Sequence, residues 1–178
     1  PGLLAPVPLH QRPSQRSERL RVCTPPTFAR QILVPHLQAF TDAHPEVEPE
    51  IVLSIPYLEP RAMDADVEVR AGDAQAGGGT TLMREAVTPM AAPSLLERWG
   101  PLRGPAELRR VERGGVVRRV PLLRSPLEPW APWFKAAGLP WPEPSQGPKL
   151  VDLGLLLEAA VSGQGVALGR PSLARHWL

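Results

Sequence analysis

The run from Leu20 to Phe40 limits the folds open to this chain more than any other stretch. Leu20 to Cys23 is predicted as a short strand. Thr24-Pro25-Pro26-Thr27 is predicted as the turn into a helix, where the hydroxyl of Thr24 or Thr27 caps the orphan N–H groups and the prolines suit the first turn. Phe28, Ile32, Leu33, Leu37 and Phe40 then recur every three or four residues, the stripe of an amphipathic helix. Pro35 falls inside that stripe and is expected to kink it. The helix is expected to stop near His44-Pro45. A strand whose C-terminal end opens onto a helix start is where open α/β sheets collect small anions, since unpaired N–H groups and the helix dipole point there.

The rest of the chain extends the same architecture. Glu50 to Ile55 is β-branched and short, a buried strand, and Val67-Glu68-Val69 alternates apolar and charged residues. Gly72 to Thr81 contains Gly77-Gly78-Gly79, but no Gly-Lys-Ser/Thr follows, so it reads as a plain loop and not a phosphate cradle. Leu82 to Ala92 is predicted as a strand leading into a second lobe. Ser94 to Arg98, with Ser94 as cap, and Pro105 to Arg110 are predicted as short helices. Arg109, Arg110, Arg113, Arg118 and Arg119 surround Gly114-Gly115; they read as a solvated hairpin or loop edge, with an anion or DNA-backbone contact as the functional alternative. Val120 to Ser125 is predicted as a strand. Trp130, Trp133 and Phe134 form an aromatic helix face that ends at Gly138 and is expected in the core. Asp152 is expected to cap a helix to Ser162, with Leu155, Leu156, Ala159 and Ala160 inward and Gly163 as its C′ residue. Val166 to Leu168 is a buried strand, and Pro171 to Leu178 begins one more helix. Strands alternating with helices imply parallel sheets flanked by helices.

Composition excludes several classes of protein. With 24 prolines and 15 glycines in 178 residues, the chain stays below the ~25–30% content of low-complexity sequences. A single cysteine, Cys23, cannot form an internal disulfide framework or a cysteine metal cluster. The histidines (His10, His36, His44, His176) lack metal-ligand spacing. No run approaches the ~18 apolar residues of a membrane span. Pro1 to Leu9 is apolar but broken by prolines and makes a poor signal peptide. The net charge of +2 is too small to imply nucleic-acid binding by this chain. No Gly-x-Ser-x-Gly elbow, base or metal set suggests an enzyme, and no cofactor motif is present. Asp64 and Asp66 read as turn-forming acids.

Four segments together resemble one family: the Leu20–Phe40 run, then Asp66-Val67-Glu68-Val69-Arg70-Ala71-Gly72-Asp73, then Glu128 to Gly138, then Leu157 to Leu168. In this order, and over roughly residues 18 to 178, the chain resembles the effector-binding domain of LysR-type transcriptional regulators, of the branch typified by the glycine-cleavage activator and the β-lactamase regulator. The resemblance implies an α/β fold of two lobes like a periplasmic binding protein of type 2, with ligand in the cleft and two crossover strands as hinge. It gives a linker at 1–17, lobe I at 18–87 and lobe II at 88–178, with the first crossover at Thr88 to Ala91. The family's chain returns to lobe I after the last helix, so a fold incomplete at the C-terminus is expected here.

The resemblance also implies partners: a small-molecule effector, a homodimer or homotetramer built through the first helix, no membrane, and DNA only through an N-terminal helix-turn-helix that this chain lacks. A cytoplasmic location follows from that role. Thr27 matches a threonine that contacts ligand in the β-lactamase-regulator branch, and the Asp152 helix start matches a second-lobe contact. In that branch a serine follows the matching Asp, where this chain has Leu153 and Gly154. The residues at strand ends and helix starts give the candidate ligand-binding set: Thr24, Thr27 and Ser54 on the first lobe, and Arg124, Ser125, Asp152 and Gly154 on the second. Arg124 is expected to grip a carboxylate of the ligand. The leading rival is the solute-binding protein of a transporter, which shares the two-lobed fold; an enzyme on this fold is the third reading.

Overall fold

The computed structural model describes residues 18–55, 64–72, 79–108, 111–113 and 116–177. The predicted linker at 1–17, Gly77 and Gly78 of the glycine loop, Arg109, Arg110 and Leu178 lie outside the described residues, as do the side chains of the 111–118 hairpin.

The first lobe is built on β1 (Glu18–Thr24), which lies between β2 (Val47–Leu53) and β3 (Val67–Glu68) in a wholly parallel sheet, with Val22 beside Ile51 on one flank and Val67 on the other. A central parallel strand is covered on both faces, so its apolar residues run on without alternating. Val22, Cys23 and Thr24 are accordingly all buried. Asp66 accepts the Arg21 N–H at 2.7 Å, and Asp64 lies 3.4 Å from the Arg21 guanidinium. Both acids therefore serve the turn into β3.

The helix after β1 is continuous but changes its winding. It comprises α1 (Pro26–Phe28), a π-helical segment (Ala29–Leu33) and α2 (Val34–Ala43), with His44 as its C-cap. Pro35 explains the change. It has no N–H for the Gln31 carbonyl, and its ring crowds that carbonyl. The turn before it widens, and the Val34 N–H reaches Ala29 O, five residues back. The expected disturbance at Pro35 thus takes the form of a π segment. Neither threonine caps this helix: Pro25 is the N-cap residue, with no side-chain hydrogen bond.

The second lobe holds the main cores. Its sheet pairs β4 (Thr88–Met90) antiparallel with β7 (Ala167–Gly169), so the sheets are not all parallel as the alternation of elements suggested. The predicted strand at Leu82 to Ala92 shortens to β4, and that at Val120 to Ser125 reduces to single bridges, Leu122 to Val166 and Arg124 to Lys149, both parallel. Prolines at 121 and 126 remove donors that a longer ladder needs. α3 (Pro93–Trp99) starts one residue earlier than predicted, with Ala92 at the cap and Pro93 in the first turn, so Ser94 is not its cap. A short 3-10 turn (Pro105–Leu108) leads to the β5 (Val111–Arg113) and β6 (Val116–Arg118) hairpin.

α4 (Trp130–Ala136) drives its aromatic face inward. Trp130 and Phe134 are fully buried with ring centroids 5.4 Å apart, and the Trp130 indole N–H donates to Leu123 O at 2.7 Å. They pack with Leu95, Leu108, Val120, Val166 and Leu168. α5 (Leu153–Val161) buries Leu156, Leu157, Ala159 and Ala160, whereas Leu155, expected inward, is 58% exposed. The inward stripe is displaced by one residue because Gly154 and Leu157, three apart, face the first lobe and core together. Gly163 follows α5 with φ 71°, the left-handed conformation that ends the helix without a Cβ penalty. α6 (Pro171–Ala174) is the last element.

Candidate functional site

The two lobes meet where α1 packs on the start of α5, and where α6 packs on the π segment. The C-terminal ends of β1 and β2 deliver Thr24, Thr27 and Ser54 to this end of the first lobe. The Ser54 N–H donates to Thr24 O at 3.0 Å. All three side chains are buried, and the hydroxyls of Thr24 and Thr27 have no hydrogen-bond partner. A hydroxyl buried without a partner loses its hydration with nothing in return, a cost of about 1–3 kcal/mol. Such groups call for an explanation, and a ligand that completes the bonding is one.

From the other lobe, α5 presents its N-terminus. Asp152 caps it: Oδ1 accepts the Leu155 N–H at 2.9 Å. Gly154, in the first turn, is buried against the first lobe. A Cβ on Gly154 would lie 2.9 Å from Asp152 Oδ1, 3.3 Å from Arg30 Nη1 and 3.5 Å from Thr27 Oγ1. The absence of that carbon lets the two lobes approach and leaves an acid, a cation and a hydroxyl around one point. Thr27 also opens onto a small void along the seam, walled by Leu153, Leu157 and Leu168 and closed by the ion pair of Glu128 with Arg170. That pair is largely buried, with Nη2 to Oε1 at 2.6 Å and Nε to Oε1 at 2.7 Å. Nearby, the Glu85 carboxylate accepts from the Ser172 N–H at 2.9 Å and from its hydroxyl. This ties the approach to β4 to α6.

The structure therefore brings Thr27, Asp152 and Gly154 together, with Thr24 and Ser54 behind them. It assigns Arg124 and Ser125 other contacts. The Arg124 guanidinium donates to Gly147 O at 2.8 Å and 3.0 Å and to Pro144 O at 3.3 Å. Prolines bring carbonyls without N–H groups, so the connection at 140–148 has acceptors to spare, and the five-donor guanidinium satisfies them. The Ser125 hydroxyl accepts the Leu127 N–H at 3.2 Å within its own turn. The cation beside Thr27 is Arg30, which the sequence reading passed over. Its position three residues beyond Thr27 on the same helix was the available signal. A cavity of about 250 Å³ lies apart from the seam, between residues 119–122 and the 142–147 connection, and contains none of the predicted site residues. Among the described residues no group of His, Cys, Asp or Glu side chains is placed to hold a metal ion. No helix among them is long and apolar enough to cross a membrane.

Comparison with known proteins agrees with this architecture. The family described as the LysR substrate binding domain matches residues 13–178. The transcriptional activator AmpR of Rhodobacter capsulatus is 36% identical over 157 residues, 85% of this chain and 49% of that protein. The glycine cleavage system transcriptional activator of Escherichia coli K12 is 29% identical over 158 residues, 88% of this chain and 49% of that protein. The chain thus spans about half the length of these curated relatives. Among solved structures, the AmpR effector binding domain from Citrobacter freundii superposes with a TM-score of 0.64 at 26% identity, covering 89% of this chain and 76% of that one. The regulatory domain of CrgA from Neisseria meningitidis, at 19% identity and a TM-score of 0.67 over 90% of this chain and 76% of that one, shares the fold. With a two-lobed fold, a seam of helix starts and strand ends, and a family match over nearly its whole length, the chain belongs to the LysR substrate-binding domain family, the effector-binding domain of LysR-type transcriptional regulators.

Proposed function

We propose that this chain senses a small-molecule effector at the seam between its lobes and transmits the bound state to the transcriptional function of a longer regulator. The observation that carries this reading is the Thr27 hydroxyl, 2% exposed, without a partner, and facing the capped start of α5. A ligand that hydrogen-bonds Thr27 and reaches α5 binds the closed arrangement of the lobes more tightly than an open one. It therefore shifts the population toward closure by its differential affinity. Lobe I at 18–87 and lobe II at 88–178 are the bodies that move, and 1–17 is the linker. Thr24, Thr27, Ser54, Asp152 and Gly154 form the site; Arg124 and Ser125 support the second lobe from behind it.

The wider proposals follow from the relatives' roles. DNA is bound by a separate helix-turn-helix of the longer protein, in the cytoplasm, and this domain performs no catalysis. Subunits pair through α2, whose Leu37 and Phe40 are only half-buried and whose Val34 is 54% exposed. The relatives are named as transcriptional activators, which favours regulation over solute transport.

Thr27→Val preserves the shape of the side chain and removes its hydroxyl. The expected outcome is loss of effector-dependent transcription in a reporter strain, with the melting temperature of the purified domain unchanged or raised. A full response from Thr27→Val overturns the reading.

A further inference from the structure

We propose that the cavity behind the 142–147 connection is a second ligand site, separate from the seam, and that it takes an uncharged aromatic molecule bearing one hydrogen-bond acceptor.

The cavity holds about 250 Å³, whereas voids in protein interiors seldom exceed a water molecule. An apolar cavity of about 150 Å³ already accepts benzene, so this one has room for a ring with a short substituent. Its floor is apolar. Leu108, Val120 and Phe134 line it, and each is at most 4% exposed. The Phe134 ring is set by Trp130 at 5.4 Å and by Trp141, edge-on, at 5.2 Å between centroids. It gives a flat molecule an aromatic surface to pack on.

The outer wall is held away from this floor. The Arg124 guanidinium ties down the carbonyls of Pro144 and Gly147, the Arg124 N–H donates to Pro148 O at 2.9 Å, and the Leu150 N–H donates back to Arg124 O at 2.8 Å. At the other end of the connection, Glu143 Oε2 accepts the Ala131 N–H at 2.8 Å. Pro142 and Pro144 stiffen the chain between these ties. A wall fixed at both ends does not settle onto the floor, so the space is formed before a ligand arrives.

One backbone donor points to this side. The Leu123 N–H and Pro121 O face Val166, while the N–H and O of Arg124 face the connection. Neighbours in a strand alternate edges, so Leu122 shares the edge of Arg124. Its carbonyl agrees: a Cβ on Gly147 would lie 2.6 Å from Leu122 O. Among the described residues the Leu122 N–H has no hydrogen-bond partner. A half-buried backbone donor without a partner calls for one, and an acceptor on the ligand supplies it. The rim carries Arg119 and Glu143, one charge of each sign, so the mouth favours neither an acid nor an amine. The ligand class is a neutral ring with a carbonyl or a ring nitrogen.

The test titrates acetophenone, to about 10 mM, into the isotope-labelled chain and follows the backbone amide spectrum. Ethylbenzene, which lacks the carbonyl, is titrated to its solubility limit. Acetophenone is expected to shift the amides of Val120, Leu122 and Phe134 saturably and to move the Leu122 proton downfield; ethylbenzene shifts Val120 and Phe134 without the downfield move at Leu122. Benzoate and benzylamine bind more weakly than acetophenone. Val120→Phe fills the floor and abolishes the shifts. Ser145→Trp closes the mouth and weakens binding about tenfold or more; Ser145 is exposed, so this variant folds and decides alone if Val120→Phe does not. Thr27→Val leaves the titration unchanged. No saturable shift at the cavity, shifts confined to the seam at Thr27 and Gly154, or full binding by Ser145→Trp each overturns the site. Loss of the shifts in Thr27→Val shows that the cavity is not separate from the seam. Tighter binding by benzoate or benzylamine, or the same Leu122 shift from ethylbenzene, overturns the ligand class.

Discussion

The two lobes use similar elements and bury them differently. In the second lobe, Trp130, Phe134, Leu95, Leu123, Leu156, Val166 and Leu168 are each at most 2% exposed and fall into two clusters. In the first, α2 buries no residue, and Leu53 and Val67 on the flanking strands are 48% and 44% exposed. The first lobe has the stronger sequence pattern, with five apolar residues at helical spacing, and the weaker core. Periodicity marks which residues share a face, while burial depends on what covers that face. Among the described residues the larger buried core therefore lies in the second lobe. The seam joins a well-packed body to one whose apolar helix face remains half covered.

Truncation tests that contrast most directly. Trp130→Ala removes a ring buried on all sides together with its bond to Leu123 O, and a loss of about 3–5 kcal/mol is expected in urea unfolding. Leu37→Ala, on the half-buried stripe of α2, is expected to cost less than about 1 kcal/mol, since the residue already meets solvent. Comparable losses from the two would erase the distinction between the lobes.

Arg124→Ala is expected to destabilise the second lobe by about 1–2 kcal/mol by releasing the carbonyls of Pro144 and Gly147. Its calorimetric affinity for effector should match that of the unaltered domain. A lower affinity at unchanged stability would return Arg124 to the ligand site. Asp152→Ala removes the α5 cap and is expected to cost about 1 kcal/mol, whereas Asp152→Asn, which still accepts the Leu155 N–H, should cost little. If both variants unfold alike, the carboxylate acts through its charge and not as a cap. The smallest folding effect is expected from Val34→Glu with Ala39→Glu on the exposed side of α2, within about 0.5 kcal/mol. Sedimentation should nonetheless show a shift toward monomer; unchanged association would place the subunit interface elsewhere.

Where local chemistry acts over a few residues, the sequence was a sufficient guide. Asp152 caps α5 because its short carboxylate reaches an N–H three residues on, a bond that needs no tertiary partner. Gly163 ends that helix, and Trp130 and Phe134 fall on one face, for equally local reasons. Thr27 was recognisable as a candidate because a helix start at the end of a parallel strand exposes donors wherever the rest of the chain lies. The strand predicted at Val120 to Ser125 was less legible, since its apolar run does not reveal how few partners reach it.

Tertiary structure alone decided which arginine lies at the seam beside Thr27. Arg124 and Arg30 look equally available in sequence, each near the end of a strand or start of a helix. Folding places unpaired proline-segment carbonyls around Arg124 and the bare Cα of Gly154 beside Arg30. A guanidinium takes whatever acceptors surround it, and for Arg124 those come from residues 20 or more positions away in the chain. The sequence by itself determined the main helices, the Asp152 cap and the family's order of motifs. The meeting of the lobes determined that Thr27 is buried without a partner, because that depends on the approach of α5 across the seam.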